Sequence, residues 1–473
     1  MFEIYIKIFH KSWNSPTLTT WTSFLSKSLQ VIIVLPLVLQ KFSVYDINLW
    51  YFVSAILSLQ VVLDAGFGSA FVRSIAYTKN KTENIHSNSD KWNQSEQISI
   101  YRYMRHVYFK LFIFSFLSLL LFGTFLLEPI IQESSFPDYG WYMWGIVIVF
   151  FPIVIYGNIY LNLLQGIHQI PLLRRWDTLF NIANVLVSIL IIFLFNNIYL
   201  LLVNNVVWLL LAVWRNKIIV FNYFLNKTEV ETSNSEDLTM YKTKIVYPAL
   251  KSGFGILASH GTIQLSGFVM NNWFDPNATS SYMLGITLIN SLRYFAQAPF
   301  YSKIPHFSSL TKNYQMNQLR QDSNRSMKIV YFVFLTGFFF LAFFNEIIMD
   351  VIQSNGEFPS RELWLLLGLG FLIERYGGMH LQLYSTTNHI IWHTLNGITG
   401  ISMIILTCIF IYLDFGITAF PLAMLISYSL IYSLSAAKKS YRFLNVDFFD
   451  FEKFTFIPAL LSIVIYSIYV LLS

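Results

Sequence analysis

Asp64, Arg293, Glu374, Arg375 and Lys27 are ionic side chains set within apolar stretches of the sequence. An ion at hydrocarbon depth costs about 2.5–3.5 kcal/mol on insertion scales, so it is kept where it meets a partner or a wet cavity. Three kinds of chemistry suit such groups: cations hold an anionic ligand, carboxylates carry a proton or coupling ion, and opposite charges lock helices together. Asp64 lies in Leu59 to Tyr77, LQVVLDAGFGSAFVRSIAY. It is either a working residue or a packing lock, with Gly66 and Gly68 allowing a neighbouring helix to come close. Arg293 and Arg375 are too far from the ends of their stretches to reach the surface easily, whereas Lys27 could just do so. Glu374 and Arg375 are adjacent, about 100° apart on a helix, and are not expected to share a face. Glu374 lies over Gly370 and Gly378, and Arg375 over Gln382. Glu374 could carry protons or pair with a cation on another helix, and the ion pair is the favoured reading.

Polar residues recur beside these ions at three- and four-residue steps, the spacing of one helix face. Ser23, Ser26, Lys27 and Gln30 form one such stripe; Gln60, Asp64 and Gly68 form a second; Asn290, Arg293 and Gln297, flanked by Thr287 and Tyr294, form another. Ser252, Gly255, Ser259, Thr262 and Ser266 repeat the pattern. Such stripes make either packing seams or the lining of a path, and the buried charges favour the path. The candidate substrate-binding residues are therefore Lys27, Gln30, Asp64, Asn290, Arg293, Tyr294 and Gln297. Glu374, Arg375 and again Asp64 are candidates for proton or ion coupling.

The elements that must position them are membrane helices. Of 473 residues 55% are hydrophobic and 12% charged, and the mean hydropathy is +0.54. Apolar runs of about 20 residues, the length that spans a bilayer core, recur from end to end. Twelve fall in two sets. The first is Trp21 to Gln40, Asn48 to Val72, Val107 to Leu127, Trp141 to Leu164, Trp176 to Phe195 and Ile198 to Val220; the second is Ala249 to Trp273, Ser280 to Ser302, Lys328 to Ile348, Glu362 to Tyr384, Thr394 to Leu413 and Phe415 to Ala437. A thirteenth, Phe456 to Ser473, is short and either crosses or lies along the interface. The opening residues MFEIYIKIFHKS lack the apolar core and cleavage site of a signal peptide, so the first span is expected to be retained.

With the N-terminus cytoplasmic, 24 of the 31 lysines and arginines fall in cytoplasmic segments and two, Lys41 and Arg361, outside. The positive-inside rule fixes that orientation and accounts for the net charge of +6 without nucleic acid. The polar segments Thr78 to Arg105, Phe221 to Tyr247 and His306 to Met327 read as cytoplasmic loops, too short and polar to fold as catalytic domains. The single cysteine, Cys408, rules out an internal disulfide. No zinc-protease, nucleophile-elbow or phosphate-loop motif and no Cys/His ligand spacing is present, so no metal or cofactor is expected. His260 and His380 are isolated, and a lone helical histidine is more often a hydrogen-bonded core residue.

Corresponding spans of the two sets start about 220–230 residues apart, and their loops match in character, as in His168-Gln169-Ile170 against Asn388-His389-Ile390. Six spans is an even number, so the repeat is parallel. The expected fold is all-α and polytopic: two parallel pseudo-symmetric six-helix bundles, residues 1–225 and 226–440, around a central cavity, with an extra hydrophobic helix in 441–473.

Asp64-Ala-Gly-Phe-Gly-Ser-Ala-Phe-Val-Arg73, the doubled six-helix plan and the Leu164-Gln165-Gly166 end of the fourth span together resemble the polysaccharide and O-antigen flippases of the multidrug/oligosaccharidyl-lipid/polysaccharide exporter superfamily. The likeness covers about Trp13 to Ala437. The chain departs from that pattern in its thirteenth span, against twelve or fourteen, and in a tenth-to-eleventh loop without basic residues. The resemblance implies a multi-pass protein of the bacterial inner membrane that moves undecaprenyl-pyrophosphate-linked oligosaccharide, as in lipopolysaccharide biosynthesis, by alternating access. Membrane lipids and polysaccharide assembly proteins are its implied partners. Lys27 and Arg293 would then offer charge to the diphosphate. A cation-coupled multidrug exporter of the same superfamily is the alternative, for which acids should dominate. An integral-membrane glycosyltransferase or polymerase is the alternative from another class, though the large external loops it would need are missing.

Overall fold

A computed structural model describes residues 16–78, 94–225, 246–387, 389 and 391–472. The central parts of two expected loops, 79–93 and 226–245, lie outside the described residues, as do Asn388 and Ile390 of the tight loop. Among the described residues there is no strand.

Helices follow the hydropathy pattern in order. They are α1 (16–41), α2 (Val44–Tyr77), α3 (94–133), α4 (Pro137–Gly166), α5 (Ile170–Phe195), α6 (Ile198–Leu225), α7 (247–271), α8 (Pro276–Tyr301), α9 (Ile304–Lys312), α10 (Met316–Ile352), α11 (Arg361–Ser385), α12 (Trp392–Tyr412), α13 (416–444), α14 (Phe448–Glu452) and α15 (Phe456–Leu472). Every expected span is a helix. The segment His306 to Met327, expected as a loop, is instead helical through α9 and the first turns of α10. Its polar residues sit on an amphipathic surface, while Phe307, Leu310 and Leu319 are buried.

Among the described residues nine helices are long and apolar enough to cross a membrane: α1 to α6, α10, α12 and α13. The long helices outside that set, α7, α8 and α11, carry His260, Arg293, Glu374 and Arg375. Polarity is thus concentrated in three helices that need protein around them.

The contacts divide the chain into two compact units, one drawn from Met1–Leu29 and Phe52–Leu257, the other from Gln30–Tyr51 and Ala258–Ser473. On α1 and α7 the division falls at a π-helical stretch, Gln30–Val34 and Leu257–Gly261 respectively. Such stretches interrupt the regular hydrogen-bond ladder and often accompany functional sites.

In the first unit α4 packs on α3 and α6, and the early part of α1 packs on α5. Tyr108, Phe71, Ile159, Leu163 and Leu164 lie in its core. A β-carbon at Gly66 would stand 2.1 Å from the Ala249 carbonyl oxygen and 2.6 Å from the Gly253 amide nitrogen, so the glycine is what lets α2 meet α7 backbone to backbone.

In the second unit α8 packs on α10 and α11, and α13 on α11 and α12. The chain around Leu39 belongs here because Asn355 holds it. Its backbone N–H donates to the Leu39 carbonyl at 2.7 Å, and its side-chain amide to those of Gln40 and Phe42 at 3.0 and 2.9 Å. Asn48 likewise donates to the Pro276 carbonyl at 2.9 Å. The last helix, α15, contacts α10 and α11, with Ile463 and Tyr466 buried and Tyr466 edge-on to Phe338.

Gly66→Val should cost roughly 1–3 kcal/mol, since neither backbone partner can move aside as a side chain would. Gly145→Val, where a β-carbon meets nothing within 4 Å, should be near neutral. Thermal midpoints of the detergent-purified variants check the pair, and equal midpoints would contradict the close-approach account.

Candidate functional site

Arg293, Glu374 and Arg375 come together in the second unit and are 3%, 4% and 4% exposed. The expectation that Glu374 and Arg375 do not share a face is corrected here. Arg375 bends back across the helix, its Nε and Nη2 donating to the two Glu374 oxygens at 2.8 and 2.6 Å. A guanidinium on three methylenes is long enough to span the 100° that separates adjacent residues, and its planar fork matches a carboxylate. The third nitrogen, Nη1, donates to Gln297 Oε1 at 2.7 Å.

From α8, Arg293 Nη1 approaches Glu374 Oε2 at 3.9 Å, so the carboxylate also has the interhelical cation the sequence suggests. Arg293 lies over the rings of Tyr294 and Phe371 at 4.7 and 5.3 Å. His260, in the π-helical part of α7, interacts electrostatically with Arg293 and Glu374. Two guanidinium groups therefore face one carboxylate. Arg293 Nε and Nη1 are buried without a hydrogen-bond partner, and so is Asn290 Oδ1. Unsatisfied donors on a buried cation suit an anion with several oxygens.

Of the other expected site residues, Gln30 is half-buried in the second unit at the start of the α1 π-helical stretch. Lys27 and Asp64 belong to the first unit. Lys27 is exposed, whereas Ser23 and Ser26 of its stripe are buried, and Asn181 of α5 donates to Ser26 Oγ at 3.1 Å.

Asp64 accepts from the Tyr108 hydroxyl and from Asn162 Nδ2, the latter at 3.2 Å to each oxygen; Asn162 also donates to Tyr108 at 2.7 Å. These partners come from α3 and α4, and Gly68 leaves the room: a β-carbon there would stand 2.6 Å from Asp64 Oδ2. Tyr108 and Asn162 were not singled out in the sequence. The only signal for Asn162 was an amide inside an apolar span.

A further group joins α11 to the C-terminal helices. His380 and Glu452 are fully buried, with Nε2 to Oε1 at 2.9 Å. Glu452 also accepts from Tyr441 at 2.9 Å, Thr455 at 2.5 Å and the Phe456 amide at 3.2 Å. Among the described residues no group of three or more His, Cys, Asp and Glu is placed to hold a metal.

No family model matches the sequence, and no curated protein matches it. Solved structures do. An inward-facing multidrug resistance MATE family transporter of the MOP superfamily matches with a TM-score of 0.62 at 12% identity, over 92% of this chain and 94% of that one. An outward-facing one matches at 0.60 and 11%, over 92% and 96%. The lipid II flippase MurJ, in an inward closed conformation, matches at 0.60 and 14%, over 96% and 92%. At these identities the likeness is one of fold: this chain has the polytopic all-α architecture of those membrane proteins.

Burial would push the Glu452 carboxyl up, but the His380 hydrogen bond and charge, with the Thr455 and Tyr441 hydroxyls, outweigh it and hold the carboxyl below the usual carboxylate range. A depressed folded-state pKa gives stability that is present above the unfolded value and lost as pH falls through the folded one. Glu452→Gln should therefore cost roughly 2–4 kcal/mol at neutral pH, and its deficit should shrink as pH drops below about 4. Thermal midpoints across pH measure this; a deficit that widens in acid would refute the charged assignment.

Proposed function

We propose that this chain is a flippase of the bacterial inner membrane, with a cytoplasmic N-terminus, that translocates an undecaprenyl-pyrophosphate-linked oligosaccharide by alternating access. The observation that carries this reading is the cluster in which two buried guanidinium groups, Arg293 and Arg375, face the single Glu374 carboxylate, with donors on Arg293 left unsatisfied. A diphosphate and a glycan cannot enter hydrocarbon unaided, because shedding their water costs too much. Arg293 would take the diphosphate oxygens; Lys27, exposed on the first unit, is a separate candidate for contact with the substrate. Asn290, Tyr294, Gln297 and Gln30 would replace water around the sugars. Glu374 and Arg375 serve as the fixed pair that orients Arg293, and Asp64, whose hydrogen-bond partners among the described residues are neutral donors, is the residue that would take up a coupling proton. In this reading 1–225 and 226–440 are the two copies of the repeat, and 441–473 is the added helix. No bond of the substrate is made or broken.

The fold is shared by a lipid II flippase and by multidrug resistance transporters at similar TM-scores, so the charge balance has to discriminate. Two cations to one acid favour an anionic cargo over a cationic one.

Arg293→Gln, at normal expression, should lower export at least tenfold, about the 1.4 kcal/mol that one charge-assisted contact carries. Complementation of a strain lacking its polysaccharide flippase gives the readout, with Lys27→Ala made separately. Full activity of both variants would remove the cationic site, and uptake of cationic dyes into inverted vesicles would favour the exporter reading.

A further inference from the structure

A second basic cluster lies where α5 begins and α6 approaches its end. Arg215 is 17 residues past Ile198 on α6, about 26 Å along the helix axis, so it lies near the edge of the hydrocarbon layer. Arg174 and Arg175 lie in the first two turns of α5, and Lys217 is exposed two residues beyond Arg215. Trp176 and Trp214 are 40% and 61% exposed, and exposed indoles at a helix end are characteristic of headgroup depth.

Arg215 itself is unusual for such a place. A cation at a membrane interface normally extends towards water, yet Arg215 is 6% exposed. Its Nη2 donates to Asp177 Oδ1 at 3.0 Å, Nε and Nη2 donate to Asn216 Oδ1 at 3.0 and 2.7 Å, and its plane lies 4.8 Å from the Phe180 ring. Phe180 is in turn edge-on to Trp176 and Trp208. One nitrogen is left over: Nη1 is buried with no hydrogen-bond partner. Asp177 is already shared with Arg174 at 3.5 Å, so two guanidinium groups draw on one acid. Topology explains why basic residues gather at this end of the helices, but not why one of them is turned inward and held by a fixed amide, carboxylate and ring with two N–H groups unused.

We infer that this cluster is a binding site for the phosphate of an anionic membrane phospholipid. One phosphate oxygen takes the free Nη1 donors of Arg215, Arg174 and Lys217 supply the surrounding positive charge, and Trp176 and Trp214 pack along the glycerol and upper acyl region. The site is separate from the Arg293 cluster and does not depend on the transported cargo.

The test uses the full-length protein in nanodiscs of phosphatidylcholine, with and without about one-fifth phosphatidylglycerol. Wild type should gain about 4 °C in thermal midpoint with the anionic lipid, and inorganic phosphate added to the phosphatidylcholine discs should give no gain. Arg215→Lys keeps the charge and loses the planar fork, so its gain should fall to less than half. Lys217→Gln, on the exposed rim, should reduce the gain without lowering the midpoint in phosphatidylcholine, which keeps the test readable if Arg215→Lys folds poorly. The inference is overturned by an equal midpoint in the two lipids, by a gain the same size in Lys217→Gln as in wild type, or by inorganic phosphate giving the full gain.

Discussion

A carboxylate buried among membrane helices is retained only if cations or a full set of donors surround it, and that constraint organises this molecule. Glu374 meets it with two guanidinium groups, one from the next residue and one from another helix. Asp64, half-buried, meets it among the described residues with a phenol and an amide in place of a cation. A polar link joins helices in each unit: α2 to α4 through Asp64 and Asn162 in the first, and α8 to α11 through Arg293 and Glu374 in the second. The two links differ in charge, since the first pairs an acid with neutral donors and the second leaves a positive excess.

The scaffold follows from the need to cover these groups. Helices α8 and α11 are too polar to face lipid along their length, and α11 is largely buried, from Trp364 and Leu367 through Met379 and Leu383. The apolar helices carry the exposed leucine, isoleucine and phenylalanine side chains suited to lipid contact. The π-helical stretches on α1 and α7 mark where each helix passes from one compact unit to the other. His260 stands within one of them and interacts electrostatically with Arg293, Glu374 and Arg375.

The spans were legible because hydropathy over about 20 residues depends only on local sequence. Buried ions were legible for the same reason, as single charges interrupting apolar runs, which is how Arg293, Glu374 and Asp64 stand out. Their partners were not. Tyr108 and Asn162 are 44 and 98 residues from Asp64, and Gln297 is 78 from Arg375, separations that no periodicity encodes. His380 reads as isolated, and its burial as a hydrogen-bonded core residue agrees with that; the partner Glu452, 72 residues on, lies in a short aromatic segment between helices. The fold-back of Arg375 was missed because the 100° rule places β-carbons, whereas a long side chain chooses its own endpoint. The helical start of α10 was missed because polar residues on an exposed face resemble a loop when composition is read without period.

The account turns on the positive excess at Arg293 being there to hold a diphosphate. Equilibrium binding of a short-chain isoprenyl diphosphate to the purified protein, compared with the matching isoprenol, tests this most directly. The account predicts that the diphosphate binds at least tenfold more tightly than the alcohol and that Arg293→Gln removes most of the difference. Equal affinity for the two lipids, or a preference that survives intact in Arg293→Gln, would contradict it.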